Sequence, residues 1–385
     1  MSTIYRCGAG LGCRLPCGTV QVDATGVAAW QVVEFLGGGG YMRGTIRTLD
    51  LSGRQLGETS GTQPLFPGVR GFQLAGDLPT VLRVDEAGNE APLAIPWPIR
   101  WGSWFWPAYY GAPGSVGADG MGSLAVTVSG LATDGAGELW SAVLGPDGAV
   151  RTPPFRVLSL PTDATGTWDR AGRESDLVRA IGPEVAGLAP SGETLVLWAG
   201  VAACNGGGVA GRWFGTDGAP LGPVFRAADA LPASSELVAL PDGSLALRAL
   251  PSGDGTADGT WLRRFHPAVP TGAAAAPPWL LARAGERLVR AGKGGVALAI
   301  RSACAAESRR PRIDIVDPGG GVCATLELPA QGGCANPQTG AVGTGFPALG
   351  LDGTVVQFSR GLEIPLPAGN LDCRFSVWPR ALAPP

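Results

Sequence analysis

Hydrophobic and polar positions alternate along this chain in short runs bounded by glycine or proline, and the runs recur in register. The segments Gly192-Glu193-Thr194-Leu195-Val196-Leu197-Trp198 and Gly294-Gly295-Val296-Ala297-Leu298-Ala299-Ile300 each open on glycine and alternate as a strand does. Each leads to an Ala-Cys pair, Ala203-Cys204 or Ala303-Cys304, and thirteen residues later to a turn, Asp217-Gly218 or Asp317-Pro318. The two copies stand 100 residues apart, and Asp242-Gly243, followed by Ser244-Leu245-Ala246-Leu247, opens another copy halfway between them. The repeating unit is therefore roughly 50 residues long.

Seven openings align: Thr25-Gly26, Arg70-Gly71, Asp119-Gly120, Ser191-Gly192, Asp242-Gly243, Lys293-Gly294 and Asp352-Gly353. The interval between the third and the fourth is 72, and the excess falls in residues 161–183. A unit offers four short apolar runs, as at residues 237–240, 245–247, 261–265 and 278–281. Four antiparallel strands per unit predict a propeller blade; a sheet this small cannot bury both faces alone, so units pack face to face around an axis. The expected fold is an all-β single β-propeller over residues 20–385, with about seven four-stranded blades and six or eight left open by the spacing. The blades are expected near residues 20–64, 65–115, 116–160, 184–230, 231–282, 283–340 and 341–385, with an insertion at 161–183 and a Cys-rich segment at 1–19. Ring closure requires the termini to meet, and a strand near residues 20–22 is expected to complete the last blade beside 354–358 and 375–378. A β-solenoid usually has shorter repeats than this, and tandem sandwiches longer ones.

Composition supports many short strands over long helices. Glycine contributes 62 of 385 residues and proline 34, and these are the residues that turns consume. Charged residues are only 16% of the chain against a usual ~25%, and the net charge is −3. Lys293 is the only lysine and the arginines are scattered, so there is no basic field to hold a nucleic acid backbone. No apolar run is long enough to span a bilayer as a helix, and no integral membrane segment is expected.

Eight cysteines accompany a single histidine, and no C-x2-C pair occurs, which argues against zinc sites and for disulfides. Cys7, Cys13 and Cys17 crowd the N-terminus, while Cys204, Cys304, Cys323, Cys334 and Cys373 are spread later. Three cysteines cannot all pair among themselves, and Cys373 is the expected partner for one of them across the ring closure. Disulfides imply an oxidising compartment. An extracellular, periplasmic or cell-surface location is expected, although residues 1–7 show no signal-peptide core.

The chain resembles the secreted β-propeller repeat proteins of bacteria. The residues that carry the likeness are Trp198, the bend Asn205-Gly206-Gly207-Gly208, the run Arg212-Trp213-Phe214-Gly215-Thr216-Asp217-Gly218, and the apolar tail Val224-Phe225. The likeness is architectural. Gly39-Gly40-Tyr41 matches a kelch diglycine once, and Trp168-Asp169 gives one WD dipeptide outside the repeat register. Residues 23–30 and 134–140 approach a sialidase Asp-box without its serine. None of these families lends an active site.

Chemistry is concentrated in residues 97–110, which hold seven of the 27 aromatic residues (12 Trp, 11 Phe, 4 Tyr). Trp97, Trp101, Trp104, Trp106, Tyr109 and Tyr110 offer faces that stack on sugar rings or apolar partners, and Arg100 adds a planar donor for an anionic group. The same rings are equally suited to filling the wedge between blades. A second candidate is the insertion, with Asp163, Asp169, Arg170, Arg173, Glu174, Asp176 and Arg179 in a chain poor in charge. Its carboxylates suit acid–base chemistry, and its length suits a solvated loop or a short helix. Asp254 and Asp258 sit in a Gly-rich turn that misses the EF-hand spacing, and His266 reads as a turn residue without a nucleophile elbow. No metal or cofactor is expected. The expected function is a binding or interaction module for a glycan or protein partner. The alternatives are a propeller hydrolase, lyase or cyclase with carboxylates and arginine at the central channel, and a structural component of an extracellular assembly.

Overall fold

The computed structural model describes residues 2–7, 19–36, 41–61, 65–75, 79–99, 114–133, 136–160, 184–199, 208–231, 235–240, 242–249, 260–274, 286–291, 297–301, 312–316, 322–327, 348–350, 353–360 and 371–380. Every element among them is a β-strand. The N-terminal strand β1 (Ser2–Cys7) is followed by a sheet of β2 (Thr19–Val22), β3 (Ala28–Leu36), β4 (Tyr41–Leu49) and β5 (Gln55–Ser60). The second sheet holds β6 (Leu65–Pro67), β7 (Phe72–Ala75), β8 (Val81–Val84) and β9 (Glu90–Leu93), and the third β10 (Gly114–Ala118), β11 (Leu124–Leu131), β12 (Gly137–Leu144) and β13 (Val150–Leu160). The fourth has β14 (Glu184–Leu188), β15 (Thr194–Trp198), β16 (Val209–Phe214) and β17 (Phe225–Ala228). The fifth has β18 (Ser235–Ala239), β19 (Leu245–Ala249) and β20 (Thr260–Phe265), with an isolated bridge from Arg264 to Ala274 where the chain turns back beside β20. The sixth has β21 (Glu286–Ala291), β22 (Ala297–Arg301), β23 (Arg312–Val316) and β24 (Val322–Glu327). The seventh has β25 (Ala348–Leu349), β26 (Val355–Arg360) and β27 (Leu371–Trp378).

Within each sheet the strands pair in chain order and antiparallel, the pattern that short turns between alternating runs dictate. The seventh sheet is completed from the other end of the chain: β1 pairs with β27 from Ser2 opposite Ser376 to Cys7 opposite Leu371. This corrects the expected closure. Residues 20–22 belong to β2, the first strand of its own sheet, and the closing strand precedes them. The physical reason is parity of roles: each first strand must face its neighbours' first strands, so β2 is already committed to that position. A ring of such sheets, with its last sheet shared by both ends of the chain, is a β-propeller.

The core lies in the seams between sheets. Alternation sends one set of side chains of each strand into the preceding seam and the other set into the following one. In the fourth sheet Val196, Trp198, Ala210 and Phe214 pack on Leu139, Phe155 and Val157 of the third. Val185, Leu195, Leu197, Val209 and Trp213 pack the other way, on Leu237, Leu245, Leu247 and Phe265 of the fifth. Ala28, Trp30 and Leu49 meet Ala348, Val356, Phe375 and Val377 across the closure seam. Each large side chain buried this way contributes about 1.5–3 kcal/mol.

The first strands of the sheets are innermost: β10, β14 and β18 lie against one another, as do β2 and β25. Glycine permits the approach. A Cβ on Gly117 of β10 would stand 2.3 Å from the Ala186 carbonyl oxygen of β14, and one on Gly187 of β14 would stand 2.6 Å from Leu237 Cβ of β18.

Candidate functional site

Antiparallel order gives the ring two unlike ends. At one end, the connections from first to second strands and from third to fourth strands mostly span four or five residues. They are tight turns closed by backbone bonds such as Gly192 N to Ala189 O (2.8 Å) and Gly218 N to Gly215 O (2.9 Å). Aspartates lock several of them: Asp23 Oδ1 accepts from Thr25 N and Val27 N (both 2.9 Å), and Asp119 Oδ1 from Met121 N (2.6 Å) and Ser123 N (3.0 Å). Asp23 Oδ2 also accepts from Gly71 N at 2.7 Å, which ties the first turn of one sheet to that of the next. His266 belongs to this end, with its ring accepting from Ala268 N at 3.1 Å and lying 3.2 Å from the Asp242 carbonyl oxygen.

At the other end, second strands pass to third strands and each sheet passes to the next. The connections there include residues 8–18, 94–113, 161–183, 250–259, 302–311, 328–347 and 361–370. The aromatic segment thus enters β10 and the charged insertion enters β14, which are adjacent innermost strands. Topology brings together the rims of two segments that sequence reasoning treated separately. Trp97 is half-buried, packs beside Val81, Ile99, Leu124 and Val126, and donates its indole N–H to the Pro79 carbonyl oxygen at 3.2 Å. Arg100, Trp101, Trp104, Trp106, Tyr109 and Tyr110 lie outside the described residues. So do the insertion's charged residues, Asp254 and Asp258.

Where the insertion ends, Glu184 opens β14. Its Oε1 is buried and has no hydrogen-bond partner among the described residues, although the residue as a whole retains some exposure. Burial pushes its carboxyl up from the ordinary 4.5 to about 7, against a small opposing effect of its own backbone N–H. Directly across the β14–β15 pair stands Trp198, 1% exposed, whose indole N–H is likewise buried without a partner. The facing side of the third sheet presents a hydroxyl row, Ser115, Thr127 and Ser141, opposite one another on β10, β11 and β12. Thr127 Oγ1 donates to Ser141 Oγ at 3.1 Å, and Ser115 Oγ accepts from Ala186 N of β14 at 2.8 Å, linking the two sheets. Sequence reasoning missed Glu184. The available signal was a lone acid opening the otherwise apolar run Val185-Ala186-Gly187-Leu188, immediately after the insertion.

Two further ion pairs stand at this end. Arg248 of β19, 7% exposed at its side chain, donates to Glu236 of β18 at 3.3 Å. Glu138 of β12 accepts from Arg156 at 3.1 Å and from the Trp140 indole at 2.8 Å. Among the described residues no group of three or more His, Cys, Asp or Glu is placed to hold a metal ion. The closure register sets Cys373 opposite Tyr5, two positions along from the pair of Cys7 with Leu371, so the two cysteines occupy neighbouring strands. Cys323 lies on the exposed strand β24.

No known protein family and no curated protein matches the chain. Among solved structures it is similar to a puromycin-hydrolysing peptidase of Mycobacterium tuberculosis, at 15% identity over 96% of this chain and 52% of that one, with a TM-score of 0.40. It is also similar to an acylaminoacyl peptidase of Pyrococcus horikoshii, at 8% identity over 94% and 50%, with a TM-score of 0.42. The β-propeller domain of the Trilobed protease from Pyrococcus furiosus matches at 8% identity over 96% and 84%, with a TM-score of 0.32. The chain spans about half the length of the two peptidases. These likenesses concern the fold, and the chain is a β-propeller with no family assigned.

Proposed function

We propose that the protein is a binding module, an exported and disulfide-stapled propeller that engages a glycan or protein partner at its long-connection end. The observation that carries this reading is the asymmetry of the ring. Tight turns dominate one end, whereas the aromatic segment and the charged insertion both leave from the other and run into adjacent innermost strands. Binding residues concentrate on connections held by a rigid scaffold, and stacked rings beside a guanidinium suit sugars. The candidate ligand residues remain Trp97, Arg100, Trp101, Trp104, Trp106, Tyr109 and Tyr110, with Trp97 serving as the packed anchor of the segment. Export and stapling are supported by the eight cysteines and by the neighbouring strands of Cys7 and Cys373.

The test is a glycan array together with pull-down from the native extracellular milieu, using the wild-type chain and a Trp101→Ala/Trp104→Ala/Trp106→Ala variant. Binding that the triple variant loses supports the reading. Binding that survives the variant unchanged removes this segment from it. A second reading, an enzyme, is favoured by one observation: Glu184 is a carboxyl held near 7 at the inner rim, where general acid–base work needs such a group. It requires a second catalytic group facing Glu184.

A further inference from the structure

We propose that the seam between the third and fourth sheets is a proton-operated joint, closed while Glu184 is neutral and loosened once Glu184 is ionised. The geometry is that of a buried acid whose charge, among the described residues, is met only by its own backbone N–H. Glu184 Oε1 and Trp198 Nε1, one acceptor and one donor on residues paired directly across two strands, are both buried without hydrogen-bond partners among the described residues. A neutral carboxyl tolerates this; an ionised one demands donors or water.

Among the described residues no cation stands beside Glu184 to meet that demand, and Arg151 of β13 reaches the seam only at the tight-turn end, beside Gly192. On its own sheet Glu184 shares its side with Ala186, Leu188, Thr194, Val196, Trp198, Ala210 and Phe214. Two arginines also lie on that side. Arg212 is turned onto Phe214 and donates to the Gly222 carbonyl oxygen, and Arg226 on the outer strand pairs with Asp229. From the third sheet β10 offers no titratable group, β11 offers Ala125, Thr127 and Ser129, and β12 offers Leu139, Ser141 and Val143. Glu138 is engaged by Arg156 and Trp140. From the fifth sheet the Glu236–Arg248 pair lies on the side of β18 opposite to Leu237, which packs towards β14. The unspent donors on this side of the seam are the Trp198 N–H and the Ser115 and Thr194 hydroxyl hydrogens, the last at the far end of β15, and reaching any of them requires the sheets to shift. Gly117 and Gly187 bring the backbones into contact there, so a shift at Glu184 is transmitted along β14 to both neighbouring sheets.

The direction with pH follows from the raised carboxyl. The folded form binds the proton more tightly than the unfolded chain, so the seam's full stability is present below pH 4.5 and is lost as pH rises through about 7. The whole displacement corresponds to roughly 300-fold in the closing equilibrium.

The experiment is amide exchange at Ala186, whose N–H crosses the seam to Ser115, read as a protection factor from pH 5 to pH 8.5 in the wild-type chain and in Glu184→Gln. Carbon-13 titration of the glutamate carboxyls in wild-type protein accompanies it. Protection that falls up to about 75-fold over that range in wild type, the part of the full displacement that lies above pH 5, and stays level in the variant, with one carboxyl titrating near 7, bears the joint out. Parallel profiles in the two proteins overturn it, and so does a full set of carboxyls titrating in the ordinary range. The titration decides the matter even where the variant folds poorly, and neither readout depends on any ligand.

Discussion

The two ends of the ring solve the same problem, returning the chain between antiparallel strands, by opposite means. At the tight-turn end the answer is local and repeated: an aspartate or a backbone carbonyl closes the turn and a glycine takes the left-handed conformation, with positive φ at Gly26, Gly71, Gly120, Gly192, Gly243 and Gly353. At the long-connection end the second-to-third-strand connections 199–208, 250–259, 302–311 and 361–370 keep one length, whereas the connections between sheets share no common motif. Residues 94–113, 161–183 and 328–347 differ in composition, the first rich in aromatic rings and the second in charge. The first end is therefore where the sequence is constrained by folding, and the second is where it is free to carry function. Substitutions on the inner strands and at the tight-turn end should therefore lose more stability than changes in the long connections.

The largest loss is expected between the ends, on the inner strands. In Gly117→Val the new Cβ meets the Ala186 carbonyl oxygen at 2.3 Å and the Gly187 Cα at 2.7 Å, both backbone atoms that cannot step aside. Roughly 3 kcal/mol or more of unfolding free energy should disappear, read by denaturant midpoint. A midpoint within error of wild type would mean that β10 and β14 do not touch as described.

The next expected loss is at the tight-turn end, in Asp23→Ala. The carboxylate accepts from the buried amides of Val27 and Gly71, and its removal strands both donors at about 1–3 kcal/mol each in the limit of no relaxation. Desolvation raises the Asp23 carboxyl above 3.8 despite these bonds. Its contribution is therefore greatest at low pH and declines as pH rises past 3.8 through the folded value. The gap between wild type and variant should narrow from pH 3 to pH 7; a gap that widens would reverse the sign assigned to burial. Gly192→Ala should cost less, about 1–2 kcal/mol, because φ is +102° while the nearest atoms, Arg151 Nη2 and Thr216 Cγ2 at 3.1 Å, are side-chain tips that can move.

That ranking also explains what the sequence made legible. The Gly of each tight turn was visible because the backbone there needs one residue type, and six of the seven aligned openings fall on positive-φ glycines, with Lys293-Gly294 outside the described residues. The strands were visible because each buries alternate residues in opposite seams. The closing strand was misplaced because residues 2–7, Ser-Thr-Ile-Tyr-Arg-Cys, carry no apolar run to mark a strand, whereas 20–22 alternate as one, and only long-range pairing assigns the closing position. Glu184 was invisible for a related reason. A lone glutamate at a strand start is usually solvated, and what desolvates this one is a sheet some 70 residues earlier in the chain, bonded through Ser115 to Ala186. Trp97 was named, yet its packed indole is fixed by Pro79, which no local pattern indicates.

The smallest effect on stability should come from the largest excision. Replacing residues 161–183 with a five-residue Gly-Ser linker removes all of the insertion's charged residues and leaves β13 and β14 intact. Shortening a loop from 23 residues to five recovers only about 1 kcal/mol of closure entropy, so the denaturant midpoint should move little in either direction. If the long-connection end is where a partner is held, the same variant should keep its fold while losing or altering whatever the glycan array and pull-down detect. A variant that unfolds would show that the insertion packs as part of the ring, and the contrast between a structural end and a functional end would then apply only to the remaining connections. A variant that keeps both fold and binding would move the site to the aromatic segment alone, which enters the ring one sheet earlier at Gly114.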